Sequence, residues 1–176
     1  EVLKLLPRHE LKFSAVVRDK QAVLDYVRAK NERDAAYRYQ ADELYDHNVR
    51  RLFKERLHKH DGYSIRFAIR GNSHRTAAFQ AALEAARNRF ARERGIATTS
   101  KLDVNACRPT AEPALQAVDY FLWALQRTFE KREDRYLELL WPQCSLIVDV
   151  DDTRAAEYGA YYTRQKPLTA AALKSG

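Results

Sequence analysis

Residues 63–106 read YSIRFAIRGNSHRTAAFQAALEAARNRFARERGIATTSKLDVNA. Tyr63, Ile65, Phe67 and Ile69 alternate with Ser64, Arg66, Ala68 and Arg70, the period of two that a half-buried strand requires, and Asp61-Gly62 before them is a turn signal. Gly71-Asn72-Ser73 punctuates the strand. Thr76 to Arg94 is Ala-rich, with Phe79, Leu83 and Phe90 as its buried side and Gly95 as its C-terminal stop, so it reads as a helix. Lys101 to Ala106 reads as a short strand.

Outward from this stretch the alternation continues. Before it, Pro7 closes a short helical stub, and Leu11 to Arg18 puts Phe13, Ala15 and Val17 on one side of an extended chain, with Val16 making the other side partly apolar. Asp19 precedes a helix from Lys20 to about Asn31 with Val23, Leu24 and Val27 at helical spacing. Asp34 to His60 holds no Gly or Pro, and Ala36, Tyr37, Leu44, Tyr45, Val49, Leu52, Phe53 and Leu57 form one stripe, which predicts a single long amphipathic helix. On the other side, Pro109 and Pro113 bracket a loop, Ala114 to about Lys131 is a very apolar helix, Asp134 to Leu140 a shorter one, Ser145 to Val150 a last strand, and the tail to Gly176 irregular. Strands alternating with helices imply a layered α/β domain whose helices cover a mixed or parallel sheet, and no linker or repeat divides residues 1–176, which predicts one domain.

Composition narrows the class. With 45% hydrophobic residues, 176 residues bury a core without disulfides or a structural metal. Cys107 and Cys144 lie far apart and outside any CxxC or Cys/His spacing, which excludes a disulfide scaffold and a zinc finger. No stretch approaches the roughly eighteen uncharged apolar residues of a membrane span, and EVLKLLPRHE lacks the order of a signal peptide, so a soluble, cytoplasmic protein with no membrane partner is expected. Lys+Arg of 31 against Asp+Glu of 24 leaves +7, which favours anionic partners such as nucleic acid. The chain has no methionine and opens at Glu1 in what reads as the middle of a helix or connection, so it is expected to be part of a longer one.

Chemistry is sought first at strand ends, because open α/β sheets place ligands beyond the carboxyl ends of their strands. Asp19 closes the first strand, and its ordinary alternative role is to N-cap the next helix. Asp119 sits in LQAVDYFLWAL among Leu115, Val118, Tyr120, Phe121, Leu122 and Trp123. An ionised carboxylate in such company needs a cation or strong hydrogen bonds, and a metal ion or a core ion pair with Arg127 would each serve. Arg70 and Arg75 flank a turn before a helix, where free backbone N–H groups and two guanidinium groups suit a phosphate; a solvated turn is the plainer reading. His58-Lys59-His60-Asp61 at a helix end suits the helix C-terminus better than a metal. The basic run Arg87 to Arg94 suits a wet helix face better than a nucleic-acid groove. The absence of GxSxG, HExxH and a Cys nucleophile with a base argues against serine hydrolase, zincin and cysteine protease chemistry.

Read in order, FSAVVRDK, AAYRYQADELYDHNVRRLF, RFAIRGNSHRTAAFQAAL and LQAVDYFLWALQRTFEKREDRYLELLWPQCSLIVD, then YGAYYT and KPLT, resemble the bacterial and phage family catalogued as domain of unknown function 3800. The resemblance spans essentially the whole chain. It implies a ribonuclease H-like fold lacking its N-terminal strands, because full members begin with a Tyr-x-Asp-Glu-Ser-Gly-type strand that this sequence does not contain. Asp19 and Lys20 match the family's strand-end Asp-Lys, and Gln116 and Asp119 match the glutamine and aspartate of its helix motif. The resemblance therefore implies Asp19, Lys20, Gln116 and Asp119 as catalytic residues. It also implies Asp19 and Asp119 as ligands of Mg²⁺ or Mn²⁺, and a metal-dependent nuclease of mobile-element or defence context. Shared ligation predicts that the Asp19 and Asp119 carboxylates lie within roughly 8 Å of one another. A non-catalytic nucleic-acid-binding or assembly module that kept the fold is the rival, with a homo-oligomer or a protein as its partner. A hydrolase of small phosphorylated substrates is a third reading.

Overall fold

The computed structural model describes residues 2–69, 75–96 and 99–173. The backbone divides into two compact units, Glu1–Ala35 with Gln116–Gly176, and Ala36–Leu115. No Pro/Gly-rich linker marks either crossing point. Each unit has its own sheet and its own core.

The first unit is built on strands β1 (Phe13–Val17), β4 (Cys144–Asp149) and β5 (Ala160–Tyr162) in the order β1-β4-β5. β1 and β4 run parallel, with Val17 opposite Asp149, and β4 and β5 run antiparallel, with Asp149 opposite Ala160. The sheet is mixed and is accompanied by helices α1 (Val2–Leu5), α2 (Lys20–Arg33), α5 (Pro113–Lys131) and α6 (Arg135–Leu140). Phe121, Ala124, Leu125 and Thr128 are the buried stripe of α5, spaced at i, i+3, i+4 and i+7. Phe121 stacks on Phe13 of β1 with ring centroids 4.6 Å apart, and Leu137, Leu140, Cys144 and Ile147 complete the centre of this core. After Lys131 the chain turns at Arg132 (φ 58°), a left-handed C-terminal stop made without glycine, and Glu133 N–H returns to the Arg127 carbonyl. The tail expected to be irregular supplies β5, too short for alternation to reveal.

The second unit contains α3 (Ala41–Phe53), β2 (Gly62–Ala68), α4 (Thr76–Arg94) and β3 (Lys101–Cys107). β2 and β3 are parallel, joined through α4, with Tyr63 opposite Leu102 and Ile65 opposite Val104. These residues and Phe67 pack against Val49, Leu57, Phe79, Ala82 and Leu83, and Phe67 stacks on Phe79 at 4.6 Å. α4 stops where expected, at Gly95 in the left-handed region (φ 65°). The single helix expected over 34–60 is instead α3 alone. α2 ends at Asp34 in extended backbone, and after Phe53 the Tyr63 hydroxyl donates to the Arg56 carbonyl (2.7 Å) and accepts from the N–H groups of Lys59 and His60. One side chain thus captures backbone groups that a continuing helix would have used.

Candidate functional site at an acidic strand edge

Because β1 and β4 are parallel, their carboxyl ends emerge side by side, and both continue into charged residues. Val150 N–H bonds to the Val17 carbonyl, extending the pairing one step. Beyond it, Asp151 Oδ2 accepts from Arg18 Nε at 3.0 Å and from the backbone N–H of Asp19 at 2.7 Å. Asp152, only 6% exposed, is gripped by Arg154 through both carboxylate oxygens at 2.8 and 2.7 Å, and Arg154 also donates to the Ala172 carbonyl. Asp149 differs from both. Its Oδ1 accepts from the backbone N–H of Asp151 at 3.2 Å, and no ion pair joins it to a cation among the described residues. Burial pushes its carboxyl above the usual aspartate range, and the charges of Asp152 and Asp151 push it the same way against backbone hydrogen bonds that lower it.

Two neighbours close the edge. Tyr162 on β5 is buried, and burial together with the charges of Asp152 and Asp149 raises its phenol. Gly159 (φ 99°) passes so close that a Cβ there would lie 2.3 Å from the Asp149 carbonyl oxygen, so only glycine fits.

The residues singled out from sequence are distributed as follows. Asp19 joins this edge, but its carboxylate N-caps α2 by accepting from Gln21 N–H at 2.7 Å. Lys20 is the exposed first residue of α2, and Gln116 is exposed on α5. Asp119 is exposed, which corrects the buried environment inferred from its neighbours in sequence. A helix advances about 100° per residue, so Asp119 lies about 200° round α5 from the buried Phe121. Its apolar companions Val118, Tyr120, Leu122 and Trp123 are exposed with it. Asp119 lines a groove of about 470 Å³ with Val2, Leu3, Tyr120 and Trp123, and among the described residues no second carboxylate lines it. The core ion pair with Arg127 does not form, because Arg127 is bonded to Glu133 at 2.8 Å and lies over the Trp123 ring. Arg75 is spent on α3, pairing with Asp42 at 2.9 Å and Asp46 at 3.1 Å over the Tyr45 ring, so it ties α3 to α4. Arg70 lies outside the described residues. Asp149, Asp151 and Asp152 were missed, although the strand-end rule applied to Asp19 points equally to the DVDD that follows the last strand.

The donor chemistry of this edge is hard carboxylate oxygen, which suits Mg²⁺ or Mn²⁺. No group of three or more His, Cys, Asp or Glu side chains is gathered for a metal among the described residues. Asp149 makes no ion pair among the described residues, whereas Asp151 and Asp152 are neutralised by arginines. No helix among the described residues is long and apolar enough to cross a membrane. No protein-family model, curated protein or solved structure matches the chain.

Proposed function

We propose that this chain carries the cation-binding edge of a divalent-metal-dependent phosphodiesterase or nuclease of the ribonuclease H-like class, from a mobile-element or defence system. The carrying observation is Asp149, a carboxylate at the C-terminal edge of a parallel strand pair, raised by burial and by two neighbouring aspartates without an ion-pair partner. A carboxylate so placed gains from a cation more than an exposed one does, since the metal relieves both the desolvation and the repulsion. Asp149 would hold Mg²⁺ or Mn²⁺, which would supply an activated water and charge neutralisation on the phosphodiester. Asp119, Gln116, Lys20 and Asp19 enter this reading through the family resemblance, and the ribonuclease H-like topology rests on the same resemblance. The test is Mn²⁺ titration calorimetry alongside cleavage of labelled RNA, DNA and RNA/DNA hybrid. Asp149→Asn should remove the Mn²⁺ heat and any metal-dependent cleavage. Unchanged Mn²⁺ binding in that variant would overturn the assignment.

A second reading, a non-catalytic nucleic-acid-binding or assembly module, is supported by the arginine locks on Asp151 and Asp152. Binding of nucleic acid that persists without any metal-dependent cleavage would favour it.

A further inference from the structure

The net charge of the chain is unevenly divided between its units. Within 36–115, 15 Lys+Arg against 9 Asp+Glu leave +6, whereas residues 1–35 with 116–176 hold 16 against 15, leaving +1. The cations differ in kind as well: arginine outnumbers lysine 12 to 3 in the first count and 9 to 7 in the second.

Part of this surplus stands at the surface without an acidic partner. Within the 36–115 unit Asp42 and Asp46 are held by Arg75, Glu55 by Arg94, and Glu93 by Arg89 and Lys54. Arg92 on α4, Lys59 after α3 and Lys101 at the start of β3 are exposed and make no ion pair among the described residues. β2 and β3 turn Tyr63, Ile65, Phe67, Leu102 and Val104 toward the core, and alternation puts Ser64, Arg66, Lys101 and Asp103 on the opposite face. Arg66 there has only long contacts, 3.8 Å to Asp103 and 3.9 Å to Glu112.

We infer that the 36–115 unit is the nucleic-acid-holding part of the chain, contacting the phosphodiester backbone through its surplus cations, while the near-neutral unit contributes the acidic strand edge. The inference rests on nucleic acid being the partner, as in the proposed function, and it is independent of cleavage. Binding of this kind reads charge and spacing, not bases, and releases counterions.

The full chain in chelator, where cleavage is silent, is titrated against short labelled RNA and DNA, and the affinity is followed with salt. Lys59→Gln, Arg92→Gln and Lys101→Gln made together should flatten the logarithmic salt slope by about 2, since each lost phosphate contact removes about 0.7 to 0.9, and should weaken binding more than tenfold. Lys4→Gln, Lys12→Gln and Lys131→Gln remove the same charge from exposed sites of the other unit and should leave the slope unchanged. In the unaltered protein, saturating oligonucleotide should protect amides in 76–94 and 101–107 and not those in 13–17 and 144–149. Equal losses in the two triple variants, protection confined to the near-neutral unit, or tighter binding to phosphatidylserine vesicles than to either oligonucleotide would overturn the inference. Loss of cleavage with this binding intact would instead count against the metal-dependent reading alone.

Discussion

The two units solve the same problem with different means. The 1–35/116–176 unit packs a mixed three-stranded sheet with α5 into an extended core from Leu6 to Leu173, and a group of its aspartates and arginines gathers at one strand edge. The 36–115 unit has a two-stranded parallel sheet and a smaller core, and it distributes ion pairs over α3, α4 and the turns after α3. Burial dominates the first and surface charge the second. The difference teaches that the basic balance of the whole chain belongs to one part of it.

The largest expected effects come from truncating each core. Leu140→Ala and Leu83→Ala each remove a fully buried side chain and should each cost about 3 kcal/mol. Amide exchange should localise the first loss to β1, β4 and α5 and the second to β2, β3 and α4. Loss of protection throughout the chain in both variants would dissolve the comparison into one cooperative body. Gly159→Ala comes next: a positive φ and a Cβ driven against the Asp149 carbonyl should cost about 1–3 kcal/mol in urea unfolding and disturb the acidic edge without touching β2 or β3.

The pH responses of the two units should have opposite signs. Asp149 is raised in the folded chain, so its contribution is fully present below the unfolded value, about pH 4, and is lost as pH rises through the higher folded value. Asp149→Asn should therefore raise the unfolding temperature at pH 7, with the gap closing in acid. Glu93 is pulled down to about 2, chiefly by its hydrogen bond from Arg89 and then by Lys54. Its contribution is present above the unfolded value and disappears as pH falls toward 2. Because Glu93 is on the surface, Glu93→Gln should give the smallest effect of the series, a slight loss of stability at neutral pH that vanishes in acid.

The fold was legible wherever a local signal coincided with the tertiary outcome. Thr76 to Arg94 with Gly95 behind it was readable because the periodicity, the stop and the buried stripe all agree. Residues 34–60 were not, since nothing in that run announces that a tyrosine ten residues past Phe53 will take its backbone groups. Asp119 shows a subtler failure: apolar neighbours in sequence surround it in a list, whereas on a helix they occupy every direction and only those near 121, 124, 125 and 128 define the inside. At the acidic edge, the carboxylate and its strand-end position were visible in LIVDVDD. Which aspartate is left without an arginine depends on Arg154, which grips Asp152 two residues before it, and on Arg18, whose reach to Asp151 is settled only by the register of β1 on β4.

That register also carries a schedule. Phe13 faces Cys144, so β1 cannot pair with β4 until residues 144–149 have been made, whereas every strand and helix of the 36–115 unit is drawn from one continuous stretch. During synthesis the arginine-rich unit can gather its core while β1 still waits, with Phe13, Ala15 and Val17 bare. β1 thus waits for β4 longer than β2 waits for β3, and it is a place to look for aggregation when expression is fast.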